Sequence, residues 1–353
     1  MAFWAERLRE ARYAYSEEEL RPYFPLPRVL EGLFALAGRL FDVEIRAADG
    51  DADIWHPAVR FFRGLNRVGE EVAAFFLDPY SRPGEKRGGA WMDECVGRSQ
   101  RLAAGGATVR LPVAYLVCNQ APPVGDRPSL MSFDEVTTLF HEFGHALHGI
   151  LTQTRFTRFA GTSVPRDFVE APSQMLENWI WDKTVLDSFA ADYRDPSKKI
   201  AASVMAKLKE AKKATIARHY RGQLSYGVVD LSLHSLTEEE ARIVEPVALS
   251  NQITEAVYLK PQENTSFVGY FGHLMGYDAG YYGYAWADSI SADMATVFEN
   301  APERYFDREA GQRLRREIYE VGDSRDVNES IEEFLGRPRS LKPFLQDLGI
   351  LDE

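Results

Sequence analysis

The chain has 353 residues, of which 45% are hydrophobic and 27% charged, proportions typical of a globular protein with a sizeable core. A formal net charge of −12 argues against non-specific binding to nucleic acid, which needs a basic surface. No apolar run approaches the ~20 residues of a membrane-spanning helix. The two cysteines, Cys95 and Cys118, suit a reducing compartment better than a disulfide scaffold. We therefore expect a cytoplasmic protein without nucleic-acid or membrane partners.

The first 125 residues are predicted to combine helices with a small sheet. Arg, Glu and Ala favour a helix over residues 5–13, and Ser16 with Glu19 forms a capping-box pattern that begins a short helix over 17–23. Apolar residues at helical spacing predict another helix over 28–41. Four short segments rich in β-branched and aromatic residues follow, and they predict an antiparallel or mixed sheet. These segments are 43–46, 58–62, 71–77 and 111–118.

From Ser132 onward the pattern is helical almost to the end. Ser132 and Glu135 form a second capping box, and apolar residues recur at helical spacing as far as Leu151. Further helices are predicted over 173–181, 197–221, 287–300, 308–320 and 329–334. The expected fold class is mainly α with a small β-sheet. The simplest organisation is one domain over 1–353, with the sheet in 1–125 and the remaining helices in 126–353. A sheet-bearing first third packed on a helical remainder is the alternative.

One motif in the predicted helix after Ser132 carries chemistry. Residues 141–145 read His-Glu-Phe-Gly-His, the HExxH pattern. His141 and His145 are four residues apart, so they share one helix face and can occupy two corners of a tetrahedral Zn²⁺ site. Glu142 can reach the open position and act as general base on a metal-bound water. A chance match in this composition has a probability of roughly 0.01, so the pattern is informative. The alternative is a pair of ordinary helix histidines.

A catalytic zinc needs three protein ligands and one open position. Glu170 is the candidate third ligand. Glu177, seven residues later and on a similar helix face, could accept a hydrogen bond from a ligating histidine and so fix its tautomer. The residues alone leave open the alternative that either glutamate is a solvated helix residue.

A second cluster of polar side chains lies downstream, where His273, Tyr277, Tyr281 and Tyr284 alternate with glycines. A phenol aimed at a developing oxyanion stabilises a tetrahedral transition state. Neighbouring phenols and an imidazole can also hold substrate carbonyls. The alternative is a tyrosine-rich packing segment in which glycine permits close approach, and the segment taken alone favours this alternative.

Three motifs in this order, at 140–148, 167–179 and 273–284, resemble the M3 family of zinc oligopeptidases. Shorter stretches at 54–57, 87–91 and 111–122 support the resemblance, which covers about residues 3–350. It implies a zincin-type catalytic domain, with an HExxH helix and a second helix bearing a glutamate. It also implies one Zn²⁺ per chain and hydrolysis of oligopeptides by Glu-assisted attack of zinc-bound water. Family members are near twice this length, so the chain corresponds to the catalytic C-terminal half only.

The resemblance implies a role for each candidate residue. The implied zinc ligands are His141, His145 and Glu170, with Glu142 as general base, while the supporting role of Glu177 rests on its spacing alone. The implied catalytic residues of the second cluster are Tyr277, Tyr284 and His273, and the substrate-binding candidates are Gly88, Gly89, Ala90 and Tyr281. The residues 88–91 match a strand edge along which a substrate backbone pairs. Short peptides are the expected partners.

Two departures from the family pattern keep alternatives open. The stretch between His273 and Tyr277 is one residue shorter than usual, which weakens the match at Tyr277. The family's N-terminal half forms one wall of a deep channel, so its loss leaves the substrate size limit open. The alternative function is a zinc-bound but catalytically weak peptide-binding module. A homodimer that rebuilds the second wall is possible, and endopeptidase action is not distinguished from release of C-terminal dipeptides.

Overall fold

The structure is a computed structural model that describes residues 2–13 and 17–351. The strands are β1 (Glu44–Ala47), β2 (Arg60–Leu65), β3 (Glu71–Tyr80), β4 (Trp91–Val96) and β5 (Val113–Gln120). The helices are α1 (Ala2–Tyr13), α2 (Leu26–Phe41), α3 (Phe133–Leu151), α4 (Arg166–Val169), α5 (Ala171–Glu177), α6 (Lys183–Phe189), α7 (Ala202–Ala214), α8 (Ile216–His234), α9 (Glu238–Ile243), α10 (Pro246–Val257), α11 (Gly283–Glu299), α12 (Arg308–Leu314), α13 (Val327–Leu335) and α14 (Lys342–Asp347). None of these described helices is long and apolar enough to cross a membrane.

The sheet has five strands in the order β1-β2-β3-β5-β4. The pair β3 and β5 is parallel, and the other pairs are antiparallel. The small sheet predicted from the sequence is therefore present, with mixed pairing. The four segments predicted from residue patterns do not include β4, which lies at one edge of the sheet. Its residues are exposed or half-buried and include Asp93 and Glu94, so the strand lacks the alternating apolar pattern of a buried strand.

Two contacts of one aromatic ring join the sheet to the helices that precede and follow it in the chain. The ring of Phe34 on α2 lies 5.1 Å from Phe62 on β2 and 5.8 Å from Phe143 on α3, measured between centroids. Edge-to-face rings at this distance contribute about 0.5–1.5 kcal/mol beyond their buried area. The same core continues to the last helices, where Trp179 contacts Phe298 on α11. The helix carrying HExxH thus lies between the sheet and the C-terminal helices.

The capping box at Ser132 is confirmed, whereas one long helix predicted further along the chain is not. Ser132 Oγ accepts from Glu135 N at 3.1 Å, and Glu135 accepts from Ser132 N at 2.6 Å, which completes the capping box. The Ser16 box lies outside the described residues. The single helix predicted over 197–221 is wrong, because α7 and α8 are separated at Thr215, whose backbone is not helical. The helix α8 then continues to His234.

Candidate metal centre

Helix α3 carries the HExxH residues in its middle turns. Its apolar face is buried in the core, and the two histidines share a neighbouring face because they lie four residues apart. The rings of His141 and His145 have centroids 4.9 Å apart and planes at 84°. Glu142 is only 7% exposed. The helix thus presents two imidazoles together, with a buried carboxyl group next to the first in sequence.

A glycine inside the motif allows the glutamate-bearing segment to approach. A Cβ atom at Gly144 would lie 2.6 Å from Ser173 Cα and 3.3 Å from Pro172 O, so only glycine permits this spacing between α3 and α5. Glu170 lies at the junction of α4 and α5. Ser173 Oγ donates to the backbone oxygen of Glu170 at 2.8 Å, which holds that junction. The close packing of the two helices therefore determines where the Glu170 carboxylate lies.

The three predicted ligands come together. Glu170 Oε2 lies 3.1 Å from the Nε2 atom of His141 and 3.1 Å from the Nε2 atom of His145. One donor atom from each residue falls within 4.8 Å of the other two. On the opposite side of its ring, His141 Nδ1 contacts Glu177 Oε1 at 2.7 Å. That bond places the Nδ1 proton toward Glu177 and leaves Nε2 directed at the other ligands.

This donor set fits a divalent metal. Two imidazoles and one carboxylate are the protein ligands of several catalytic zinc sites, which keep one position open. The same three ligands can also bind Co²⁺ or Mn²⁺. The contact between Glu177 and His141 is the type of support that orients a ligating histidine. Within the described part of the chain, these three residues are the group of His, Cys, Asp and Glu side chains whose spacing suits a metal ion.

Burial and the neighbouring charges shift the pKa values of the site residues in different directions. Burial disfavours a charged His141, but its hydrogen bonds to Glu170 and Glu177 outweigh burial and raise the pKa of this imidazole to about 10. Burial would raise the pKa of Glu170, but the bonds to the two histidines hold it well below its usual value. For Glu142, burial dominates and raises the pKa, although the two histidines oppose it. A carboxyl group with a raised pKa is better matched to proton transfer near neutral pH.

The residues 273–284, called here the tyrosine segment, bring further candidates together. Tyr284 Oη lies 3.3 Å from His273 Nε2, and the Tyr281 ring is 5.1 Å from the Tyr284 ring. Burial and then the charge of Glu170 raise the pKa of Tyr284, so its phenol stays protonated at neutral pH. Tyr277 is 55% exposed, with its ring 5.9 Å from the His273 ring. Three of the four side chains thus form a cluster, and Tyr277 lies at its solvent side.

The tyrosine segment is fastened to the helices of the metal ligands. Gln174 on α5 donates from Nε2 to the backbone oxygen of Tyr284 at 3.2 Å. Tyr282 Oη donates to Asp167 Oδ2 at 2.9 Å. A Cβ atom at Gly283 would lie 3.1 Å from Asp167 Cα, so this glycine permits α11 to pack on α4. The phenols therefore keep a fixed relation to Glu170.

The segment 88–90 enters the edge strand β4. Asn119 Nδ2 on β5 donates to the backbone oxygens of Arg87 at 2.8 Å and Gly89 at 2.6 Å. Just before it, the Lys86 side chain is 7% exposed, and its Nζ lies 3.1 Å from Asp78 Oδ1 and 2.9 Å from Tyr80 O. Gly88, Gly89 and Ala90 are thus fixed at the start of a strand that pairs only with β5 among the described strands. An edge strand of this kind can accept an extended peptide.

Sequence reasoning missed the residues that hold these candidates in place. Lys86 Nζ donates to the backbone oxygen of Cys118, and Asn119 Nδ2 donates to that of Arg87. Each partner lies 32 residues away in sequence, so no local pattern marks either side chain. Asp230, in the apolar stretch of α8, accepts two backbone N–H groups of the tyrosine segment. A lone aspartate in that stretch was the available signal.

Comparison with known proteins identifies the family. The model of peptidase family M3 matches residues 1–350. The chain belongs to peptidase family M3. The resemblance recognised in the sequence is thereby confirmed for the chain as a whole, since the match leaves out only the last three residues.

Two relatives and one solved structure show how far the likeness of this M3 chain extends. It is 44% identical to organellar oligopeptidase A of Arabidopsis thaliana, over 99% of this chain and 45% of that protein. It is 38% identical to oligopeptidase A of Escherichia coli K12, over 99% of this chain and 51% of that protein. The fold is similar to an M32 carboxypeptidase from Deinococcus radiodurans R1, with a TM-score of 0.51 and 16% identity over 93% of this chain and 59% of that one.

The chain spans about half the length of the curated relatives that it matches, and the match covers their C-terminal half. One of these relatives is organellar by name, so a cytoplasmic location for this chain stays a prediction. The domain division and the homodimer also stay predictions.

Proposed function

We propose that this chain is a zincin-type metallopeptidase that hydrolyses peptide bonds in oligopeptides, with one Zn²⁺ held by His141, His145 and Glu170. The observation that carries the proposal is the convergence of these three donor groups beside Glu142. Membership of peptidase family M3 supports it, and so do the names of the oligopeptidase A relatives. Because the chain spans about half of those relatives, the proposal concerns the chemistry of the residues present here.

The residues have distinct tasks in this proposal. When bound by the three ligands, a divalent metal acts as a Lewis acid that can polarise the scissile carbonyl and lower the pKa of a water molecule. Glu142 takes the proton of the attacking water and passes it to the leaving amine. Tyr284, a protonated phenol, donates to the developing oxyanion, and His273 orients it through the 3.3 Å contact. Tyr277 is the second donor.

Substrate binding completes the proposal. The peptide backbone adds to the edge of β4 at Gly88, Gly89 and Ala90, which reads backbone groups more than side chains. Tyr281 holds a substrate carbonyl. Its phenol already donates to Gln223 Oε1 at 2.9 Å, so it must exchange that partner when substrate binds.

The test is cleavage of a quenched fluorescent peptide of about ten residues by protein whose metal content has been measured. Glu142→Gln should keep one metal per chain and lose ~10²–10⁴-fold in kcat. The matched control is Asp134→Asn, the same acid-to-amide change at an exposed position of α3, which should leave kcat unchanged. Full activity in Glu142→Gln would refute the mechanism.

Two further outcomes discriminate the alternatives. One metal per chain and bound peptide, without cleavage by the wild-type chain, would support the peptide-binding module instead. Absence of stoichiometric metal would refute both functions. Where cleavage occurs, mass spectrometry of the products distinguishes internal cutting from release of C-terminal dipeptides.

A further inference from the structure

A buried carboxylate on α8 is bonded to the backbone of the tyrosine segment. Asp230 is 1% exposed, and its two oxygens accept from different residues about fifty positions further along the chain. Asp230 Oδ1 accepts from Ala279 N at 2.8 Å, and Oδ2 accepts from Tyr281 N at 2.9 Å. Hydrogen bonds from N–H groups to an ionised carboxylate are stronger than those between neutral groups. Both oxygens are therefore used on the same turn of the tyrosine segment.

That turn has a backbone conformation that its own sequence does not favour. Ala279 has φ of +55°, in the left-handed region that is unfavourable for residues other than glycine. Its side chain is exposed, so no packing of the methyl group accounts for the conformation. The bond from Ala279 N to Asp230 is the contact that stabilises it. A left-handed residue held by surrounding bonds is a feature common at functional sites.

Other residues of α8 contact the tyrosine segment from the same helix face. A Cβ atom at Gly227 would lie 3.4 Å from Tyr282 Cα, and Gln223 Oε1 accepts from Tyr281 Oη. Gln223, Gly227 and Asp230 are successively four and three residues apart along α8, so they share one face of the helix. His234, one turn later, lies with Nδ1 2.9 Å from Asp230 Oδ1. The carboxylate is thus held in place from its own helix while it binds the turn.

We propose that Asp230 is a positioning residue of the metal centre, which fixes the turn between Tyr277 and Tyr284 and so sets where both phenols lie. The inference rests on the proposed function, because it assigns those phenols to the transition state. Asp230 touches neither ligand nor substrate, and it acts through the turn alone. A misplacement of about 1 Å far from the reacting atoms can lower a rate ~10²-fold.

The first test is Asp230→Asn, which keeps the shape and replaces one acceptor by an N–H donor facing a backbone N–H. We expect kcat to fall ~10–100-fold, with KM within threefold of wild type and metal content unchanged. Asp307→Asn is the control, because Asp307 is also buried and also accepts two backbone N–H groups, from Ala310 and Glu303, and has no bond to the tyrosine segment among the described residues. It should leave kcat unchanged. A wild-type kcat in Asp230→Asn would overturn the proposal.

A double-mutant cycle distinguishes positioning from general stability. If Asp230 acts through the phenols of Tyr277 and Tyr284, Asp230→Asn should slow the Tyr284→Phe variant by a smaller factor than it slows the wild-type chain, because only the contribution of Tyr277 is left to lose. Rate losses that multiply fully would mean that Asp230 acts on something else, and would also overturn the proposal.

The turn can also be perturbed without touching Asp230, which covers the case in which Asp230→Asn does not fold. Ala279→Val disfavours φ of +55° at an exposed position and should reproduce the loss of kcat at unchanged KM. Ala279→Gly accepts that φ and should keep the wild-type rate. Equal rates for the valine and glycine variants would refute the role of the turn.

Hydrogen exchange separates this inference from the proposed function. The amides of Ala279 and Tyr281 should exchange at least tenfold faster in Asp230→Asn than in wild type, whether or not the chain cleaves peptide. If the wild-type chain has no peptidase activity, faster exchange still supports the anchoring of the turn. Unchanged exchange at these two amides would overturn it.

Discussion

The sharpest test of how the metal centre is built is Gly144→Ala. Gly144 lies between the two histidines on α3, and a Cβ atom there would lie 2.6 Å from Ser173 Cα. That is about 0.8 Å short of the 3.4 Å at which ordinary van der Waals contact begins. The opposing atom belongs to the backbone of α5, so no side-chain rotation can relieve the contact. The helix α5 must shift, and Glu170 must shift with it.

The structure also indicates the magnitude. Overpacking of this kind destabilises by about 1–3 kcal/mol. Alanine in place of glycine inside a helix contributes about 1 kcal/mol in the opposite direction. The free energy of unfolding of Gly144→Ala should therefore fall by about 0–2 kcal/mol. Metal–ligand distances tolerate errors of only about 0.2 Å, so a displaced Glu170 should weaken metal binding ~10–100-fold.

Gly149→Ala is the matched control on the same helix. A Cβ atom at Gly149 also meets an atom at 2.6 Å, but that atom is Met92 Cε, the flexible end of a side chain that can move away. Both variants gain the same helix propensity from alanine. Only Gly144→Ala is overpacked, so its free energy of unfolding should be lower than that of Gly149→Ala by about 1–3 kcal/mol.

Urea unfolding of the metal-free protein measures the free energy of unfolding, and competition with a chromophoric chelator measures metal affinity. Equal metal affinity in Gly144→Ala and Gly149→Ala would refute the argument that the α3–α5 spacing sets the position of Glu170.

Three further predictions concern the surroundings of the centre. Burial and then the charge of Glu177 raise the pKa of Asp288 to about 7. The folded state therefore holds this proton more tightly than the unfolded chain does. The free energy of unfolding should fall as pH rises from about 4 to 7, because the proton is lost over that range. Asp288→Asn should remove that slope, worth on the order of 4 kcal/mol at most, in urea unfolding from pH 4 to 8; an unchanged slope would contradict it. Lys86→Met should raise KM several-fold with little change in kcat in the peptide assay, because the loop before β4 loosens; an unaltered KM would separate that loop from substrate binding. Tyr284→Phe should lower kcat ~10²–10³-fold at unchanged metal content, and a wild-type rate would reduce Tyr284 to a packing role.

Sequence reasoning succeeded where the deciding contacts are local. The capping box of α3 depends on two residues three positions apart, and its bonds form as the pattern predicts. The common face of His141 and His145 follows from helix geometry alone. The family resemblance supplied Glu170, which residue spacing had left open. The mainly helical fold with a small sheet was likewise within reach of periodicity.

The failures lie where tertiary contacts decide. The edge strand β4 forms because β5 provides a pairing partner, although its own residues are exposed and partly acidic. The break between α7 and α8 at Thr215 occurs inside a stretch whose periodicity favours one helix. Asp230 stands out only as a lone aspartate in an apolar stretch, and its partners could not be predicted because they are backbone N–H groups, which every residue except proline has, about fifty residues away.

The candidate centre is assembled from two sets of contacts that the sequence hides for different reasons. The ligand set depends on the close approach of α3 and α5 at Gly144, whereas the phenol set depends on α8 holding the turn at Ala279. The bond from Gln174 to the backbone of Tyr284 joins the two sets, because α5 carries Gln174 four residues after Glu170. A variant at Gly144 should therefore affect metal affinity first and the phenols second, through α5. A variant at Ala279 should lower kcat while metal affinity stays unchanged, because the turn contacts α8 and no metal ligand.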